Sequence, residues 1–82
     1  MKTNFCRVYG DKILYKIVDH IGVLKTNSNG WRKELNVVKW NGGNPKYDIR
    51  EWDTSHTLMT RGITLTPEEF GILQDILLAK NS

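Results

Sequence analysis

The sequence predicts an α+β domain: a curved four-stranded antiparallel sheet, meandering in chain order, followed by one C-terminal α-helix (ββββα). Three observations lead there. Runs rich in β-branched and aromatic residues are separated by Gly, Asn and Pro clusters. After Leu65 the apolar period changes from that of a strand to that of a helix. The chain has 82 residues, which is one domain.

Residues 1–12 read as an N-terminal arm with a turn at Gly10-Asp11, and residues 13–82 as the single domain. Within it, Leu14–Lys25 is the first strand. Tyr15, Ile17, Ile21 and Val23 fall on one face by alternation; Val18, His20 and Leu24 fall on the other. Thr26–Gly30, TNSNG, ends in Asn-Gly, a hairpin signal because both residues tolerate positive φ. Trp31–Trp40 is the second strand, with Leu35 and Val37 marking its core side. Asn41–Pro45 reverses the chain. Lys46–Trp52 is the third strand, with Tyr47 and Ile49 on the core side. Leu58–Leu65 is the fourth, with Gly62 as a bulge or a point of close approach.

The helix spans about 67–80. Thr66 is its N-cap, Pro67 its first residue, and Glu69 completes a capping box. Phe70, Leu73 and Leu77 form one apolar stripe; Ile72, Ile76 and Ala79 form another beside it. Together they are wider than the stripe of ~100° that seats a helix on one sheet. One stripe is therefore expected on the helix's own sheet and the other on a second copy of the chain. Small size argues the same way, since a lone core of this length is marginal. Cys6 is the only cysteine, so no intrachain disulfide supports the fold.

No apolar run reaches membrane-spanning length, and the N-terminus lacks the apolar core of a signal peptide. A cytoplasmic protein is expected. Net charge is +3. The basic excess lies in residues 24–62, with seven Lys/Arg against four acids, while the tail is acidic. No Cys/His spacing suggests a metal, and no cofactor motif occurs. Asp48 and Glu51 have opposite parity, which argues against a paired-carboxylate nuclease. NGGNP lacks the Gly-Lys-Ser/Thr ending of a phosphate-binding loop. No enzyme activity and no small-molecule substrate are expected.

One helix covers one sheet face. Parity puts Arg32, Asn36 and Trp40, with Lys46, Arg50 and Trp52, on the other, and that face is expected to meet water. Cations there would neutralise phosphates, and flat rings would accept unstacked bases. Three readings stay open on this pattern: single-stranded nucleic acid, a protein partner on the same face, or a structural surface.

Three segments then carry a resemblance. GWRKELN (Gly30–Asn36), PKYDIREW (Pro45–Trp52) and RGITLTPEEF (Arg61–Phe70) resemble, in order, the bacterial YdbC-type members of the positive-cofactor-four family. That is the family of the transcriptional coactivator's C-terminal domain. The resemblance implies a homodimer paired through the helices (Phe70, Ile72, Leu73, Ile76, Leu77, Ala79). It implies non-catalytic binding of single-stranded DNA with low sequence specificity; melted duplex or RNA is a further possible ligand. It assigns a phosphate contact to Arg50, base stacking to Trp52 and a DNA contact to Arg61, and it extends to Trp31, Arg32 and Lys33. Asn36, Trp40 and Lys46 join the site through parity.

Overall fold

The computed structural model describes residues 5–7 and 14–81. The turn expected at Gly10-Asp11 lies outside them. In chain order the elements are β1 (Phe5–Arg7), β2 (Tyr15–Thr26), β3 (Arg32–Trp40), β4 (Lys46–Trp52), β5 (Leu58–Thr60), β6 (Ile63–Leu65) and α1 (Pro67–Asn81). All pairings are antiparallel. The sheet order is β1-β5-β4-β3-β2, with β6 also alongside β4. The expected strands and single helix are present, with two differences. Part of the arm joins the sheet, because β1 pairs with β5. The fourth strand is broken into β5 and β6 at Arg61-Gly62.

Gly62 explains the break. A Cβ there would lie 2.3 Å from the Ile49 carbonyl oxygen and 2.4 Å from Arg50 Cβ. The backbone presses onto β4, and only glycine fits. The turns follow their residues. Gly30 has φ of 93° and closes the β2–β3 loop by donating to the Asn27 carbonyl. Asn41 and Gly42 both take positive φ before β4.

β2 departs from simple alternation. Its register against β3 slips three times, leaving Val18, Ile21 and Leu24 each without a partner. Each bulge bends the strand and adds twist. The residues of β2 therefore repeat in threes. Tyr15, Ile17, His20, Val23 and Thr26 pair with the Arg32–Trp40 face, while Lys16, Asp19, Gly22 and Lys25 pair with the other. The expected grouping of Ile21 with Tyr15 and Ile17, opposite His20, is overturned by these bulges.

The capping box forms as the sequence requires. Glu69 Oε1 accepts the Thr66 N–H at 2.8 Å, and Thr66 Oγ1 accepts the Glu69 N–H at 3.1 Å. The helix meets the sheet at its start, where Phe70 stacks on Tyr47 with centroids 3.9 Å apart and planes at 6°. None of its residues is buried. Ile72 and Ile76 are each 59 % exposed, Leu77 50 % and Leu78 68 %. Among the described residues, those with almost no exposure are Val38, Trp52, Met59, Glu34, Asn36 and Asp48. They belong to the face opposite the helix.

Candidate nucleic-acid interface

Register builds this inner face row by row. Arg32 lies opposite Trp52, Glu34 opposite Arg50, Asn36 opposite Asp48, and Val38 opposite Lys46. Alternation along β3 and β4 had grouped these residues correctly. Their exposure was not as expected. Trp52 has no exposed surface, and neither has Asn36. The expectation that both meet water is corrected. The physical reason is the curl of β2 and the turn after β4. Tyr15 approaches the Trp52 ring at 5.3 Å, His56 approaches it at 5.5 Å, and Met59 is its cross-strand partner. Tyr15 Oη donates to the His56 carbonyl and joins strand to turn.

Arg50 is likewise drawn inward, with its side chain 11 % exposed. Asp48 accepts from its Nε and Nη2, both at 2.7 Å. Nη1 reaches Met59 Sδ at 3.5 Å and the Thr60 carbonyl at 3.4 Å. The open cation expected at this position is corrected to a packed one. Arg50 does lie over the Trp40 ring, 4.6 Å from its centroid. This cation–π contact fixes the indole, which remains half-exposed.

A second buried carboxylate organises the other end of the face. Glu34 accepts from Asn36 Nδ2 at 3.0 Å, from His56 Nε2 at 3.0 Å and from Arg32 Nη2 at 3.1 Å. His20 Nδ1 donates to Asn36 Oδ1 at 2.7 Å. Because the carboxylate and the amide oxygen only accept, His56 must carry its proton on Nε2 and His20 on Nδ1. Burial pushes the Glu34 carboxyl up. The hydrogen bonds from Asn36 and His56 and the charges of His56 and Arg32 outweigh it and hold it below its ordinary value. Sequence reasoning gave Glu34 no role, nor the two histidines. The available signal was Glu34 facing Arg50 and Arg32 by parity.

Of the exposed cations, Lys46 lies on this inner face, Lys33 lies on the other face opposite Glu51, and Arg61 lies at the break between β5 and β6. Lys33, Lys46 and Arg61 are exposed; Arg32 and Trp31 are partly so. Lys33 and Arg61 line one cleft of about 480 Å³ with Arg50, Glu51, Thr60 and Gly62. The break at Gly62 is what opens it. Among the described residues, three buried donors have no acceptor: Arg32 Nε, Trp40 Nε1 and Trp52 Nε1. All three belong to the inner face, and buried polar groups are ordinarily paired. The three N–H groups are too deeply buried to meet a ligand on the surface. Among the described residues, no cluster of His, Cys, Asp and Glu could hold a metal ion.

A twisted antiparallel sheet with one helix, its inner face rich in aromatic and charged residues, defines a small α+β domain. The family model of Transcriptional Coactivator p15 (PC4) matches residues 27–76. A protein of Treponema pallidum (strain Nichols), described as an uncharacterized protein, is 41% identical over 70 residues, covering 85% of this chain and 82% of its own length. The chain belongs to the transcriptional coactivator p15 (PC4) family.

Proposed function

We propose that the protein binds single-stranded DNA with low sequence specificity and without catalysis. The family is one of single-stranded DNA binding and coactivation. The observation that carries the reading is the Trp40 ring, half-buried, pinned by Arg50 and sharing the inner face with Lys46, which is exposed and forms no ion pair among the described residues. Bases stack on Trp40 and Trp31. Arg32, Lys33, Lys46 and Arg61 hold phosphates. Asp48, Arg50 and Trp52 shape the platform from within, a role different from the direct contacts the resemblance assigned to Arg50 and Trp52.

The protein acts as a homodimer in this reading. Its helix exposes Ile72, Ile76, Leu77 and Leu78, while Phe70 and Leu73 are half-buried near its own sheet. An isolated helix of this length is marginal in water, so its second half gains its stability from a partner.

The test is fluorescence anisotropy of a labelled oligo(dT) of ~20 nucleotides beside the matching duplex, at two salt concentrations. Four phosphate contacts give a log–log salt slope near −3 and preference for the single strand. Binding that ignores salt would instead favour a protein partner on the aromatic face.

A further inference from the structure

The chain has two histidines, and both reach the same buried carboxylate. His56 Nε2 lies 3.0 Å and 3.1 Å from the two Glu34 oxygens. His20 Nδ1 lies 3.6 Å from Glu34 Oε1 and donates to Asn36 Oδ1 at 2.7 Å. Asn36 Nδ2 donates to Glu34 in turn, which fixes the amide with its oxygen toward His20.

A neutral imidazole carries one proton. Each ring directs it inward, His20 from Nδ1 and His56 from Nε2. The second nitrogens, His20 Nε2 and His56 Nδ1, are then bare acceptors. Among the described residues, neither forms a hydrogen bond. Water reaches both rings, since the side chains are 48 % and 31 % exposed. Protonation turns each outer nitrogen from an acceptor into a charged donor.

Both rings stand on the face that carries Trp40. His20 pairs with Asn36, which is midway between Arg32 and Trp40 along β3. Lys46 lies in the next row, opposite Val38. His56 approaches the Trp52 ring of the same face at 5.5 Å. The other charges here are already matched. Arg32 is paired with Glu34, and Arg50 with Asp48. Asp53, in the turn of His56, accepts from Ser55, Thr57 and Leu58, and the Tyr15 hydroxyl from β2 meets only the His56 carbonyl. Asp19, next to His20, pairs with Val37 on the opposite face.

We propose that His20 and His56 are proton-gated phosphate contacts of the single-strand face, idle when neutral and charged donors to the strand when protonated. Glu34 and Asn36 hold their inner nitrogens. This rests on the function proposed above. A strand lying from Trp40 toward Arg32 passes His20, and its phosphates meet more positive charge as the pH falls.

Anisotropy with the ~20-nucleotide oligo(dT) at pH ~8 and pH ~5.5 tests this, because imidazoles titrate in this range while thymine and the phosphate diester do not. At the lower pH, affinity should rise and the log–log salt slope should steepen by about 1.4, the value for two added single-strand contacts. The double variant His20→Asn/His56→Gln places an amide where each inner nitrogen stood and removes the titration. Its slope should be the same at both pH values. Affinity and slope that ignore pH in the unmodified protein would overturn the gating and leave the proposed function standing. A steepening that persists in the double variant would overturn it too, since another group would then be responsible. Nitrogen-15 spectra of the unmodified protein at pH ~8 give an independent reading. The proton should lie on His20 Nδ1 and on His56 Nε2, and the reverse tautomers would overturn the proposal. Absence of oligo(dT) binding at both pH values would remove the proposed function and the gating together.

Discussion

Asp48 and Arg50 stand two residues apart on β4 and are joined by two hydrogen bonds of 2.7 Å, Nε to Oδ1 and Nη2 to Oδ2. Asp48 is fully buried, and its Oδ2 also accepts from Thr64 Oγ1 at 3.2 Å. The pair ties β4 to β6 and sets the guanidinium over Trp40. Removing one partner leaves the other charge unmatched in a dry site. Arg50→Ala is expected to cost ~3–5 kcal/mol of folding stability, measured by urea denaturation. A loss below ~1 kcal/mol would mean that the pair is effectively solvated.

Gly62 makes a purely steric prediction. Its substitution by alanine drives a methyl group into the Ile49 carbonyl and Arg50 Cβ. Backbone cannot yield as a side chain tip does. The β4–β6 pairing must shift, at a cost of ~1–3 kcal/mol or more. Hydrogen exchange should show the loss concentrated at Tyr47–Ile49 and Ile63–Leu65, the residues of that register. Uniform protection as in the unmodified protein would contradict the packing described.

These two sites also show what was legible in the sequence. Gly62 announced itself, because a glycine inside a strand pattern has few other reasons to be there. The capping box at Thr66 and Glu69 was equally plain, as were the Asn-Gly turns. Parity on β3 and β4 correctly grouped Arg32, Asn36, Trp40, Arg50 and Trp52. It could not tell that the face closes over itself. That depends on three bulges in β2, at Val18, Ile21 and Leu24, which break the two-residue period on which the reading relied. Glu34 was overlooked for a related reason. An acid among cations reads as a solvated charge until burial makes it the hub of the network.

The pH dependence follows from groups on this network. Glu34 lies below its ordinary pKa for the reasons given above. Burial raises Asp53, but N–H groups of Leu58 and Thr57 and hydroxyls of Ser55 and Thr57 hold it low. For both, the folded state prefers the ionised form. Their stabilisation is complete above the ordinary carboxylate range and is lost as pH falls through the depressed folded values. Tyr15 is raised, by burial and then by the charge of Asp53. Its contribution is complete below the ordinary tyrosine value and is lost as pH rises through the higher folded one. Denaturation midpoints should therefore decline at both extremes. Glu34→Gln should flatten part of the acid limb, and Tyr15→Phe part of the alkaline limb. An acid limb unaltered in Glu34→Gln would show that the carboxylate is not held as described.

The helix yields a prediction about assembly. Ile76→Glu puts a charge in the exposed apolar surface while touching nothing on the sheet. Sedimentation should show a dimer for the unmodified protein and a monomer for the variant. The variant should also lose helicity by circular dichroism, since the second half of α1 has no other support. A monomeric unmodified protein would contradict the proposed assembly.

The measurement that bears most directly on the central claim is the affinity of Trp40→Ala for the oligo(dT), read at several salt concentrations. Trp40 is the better target than Trp52, whose removal from a buried site would cost ~3–5 kcal/mol of stability and confuse folding with binding. Loss of a stacking ring should weaken binding by ~1–3 kcal/mol. The salt slope should stay unchanged, because no phosphate contact is lost. Affinity equal to that of the unmodified protein would contradict the account, and the inner face would then be a polar core that no base reaches.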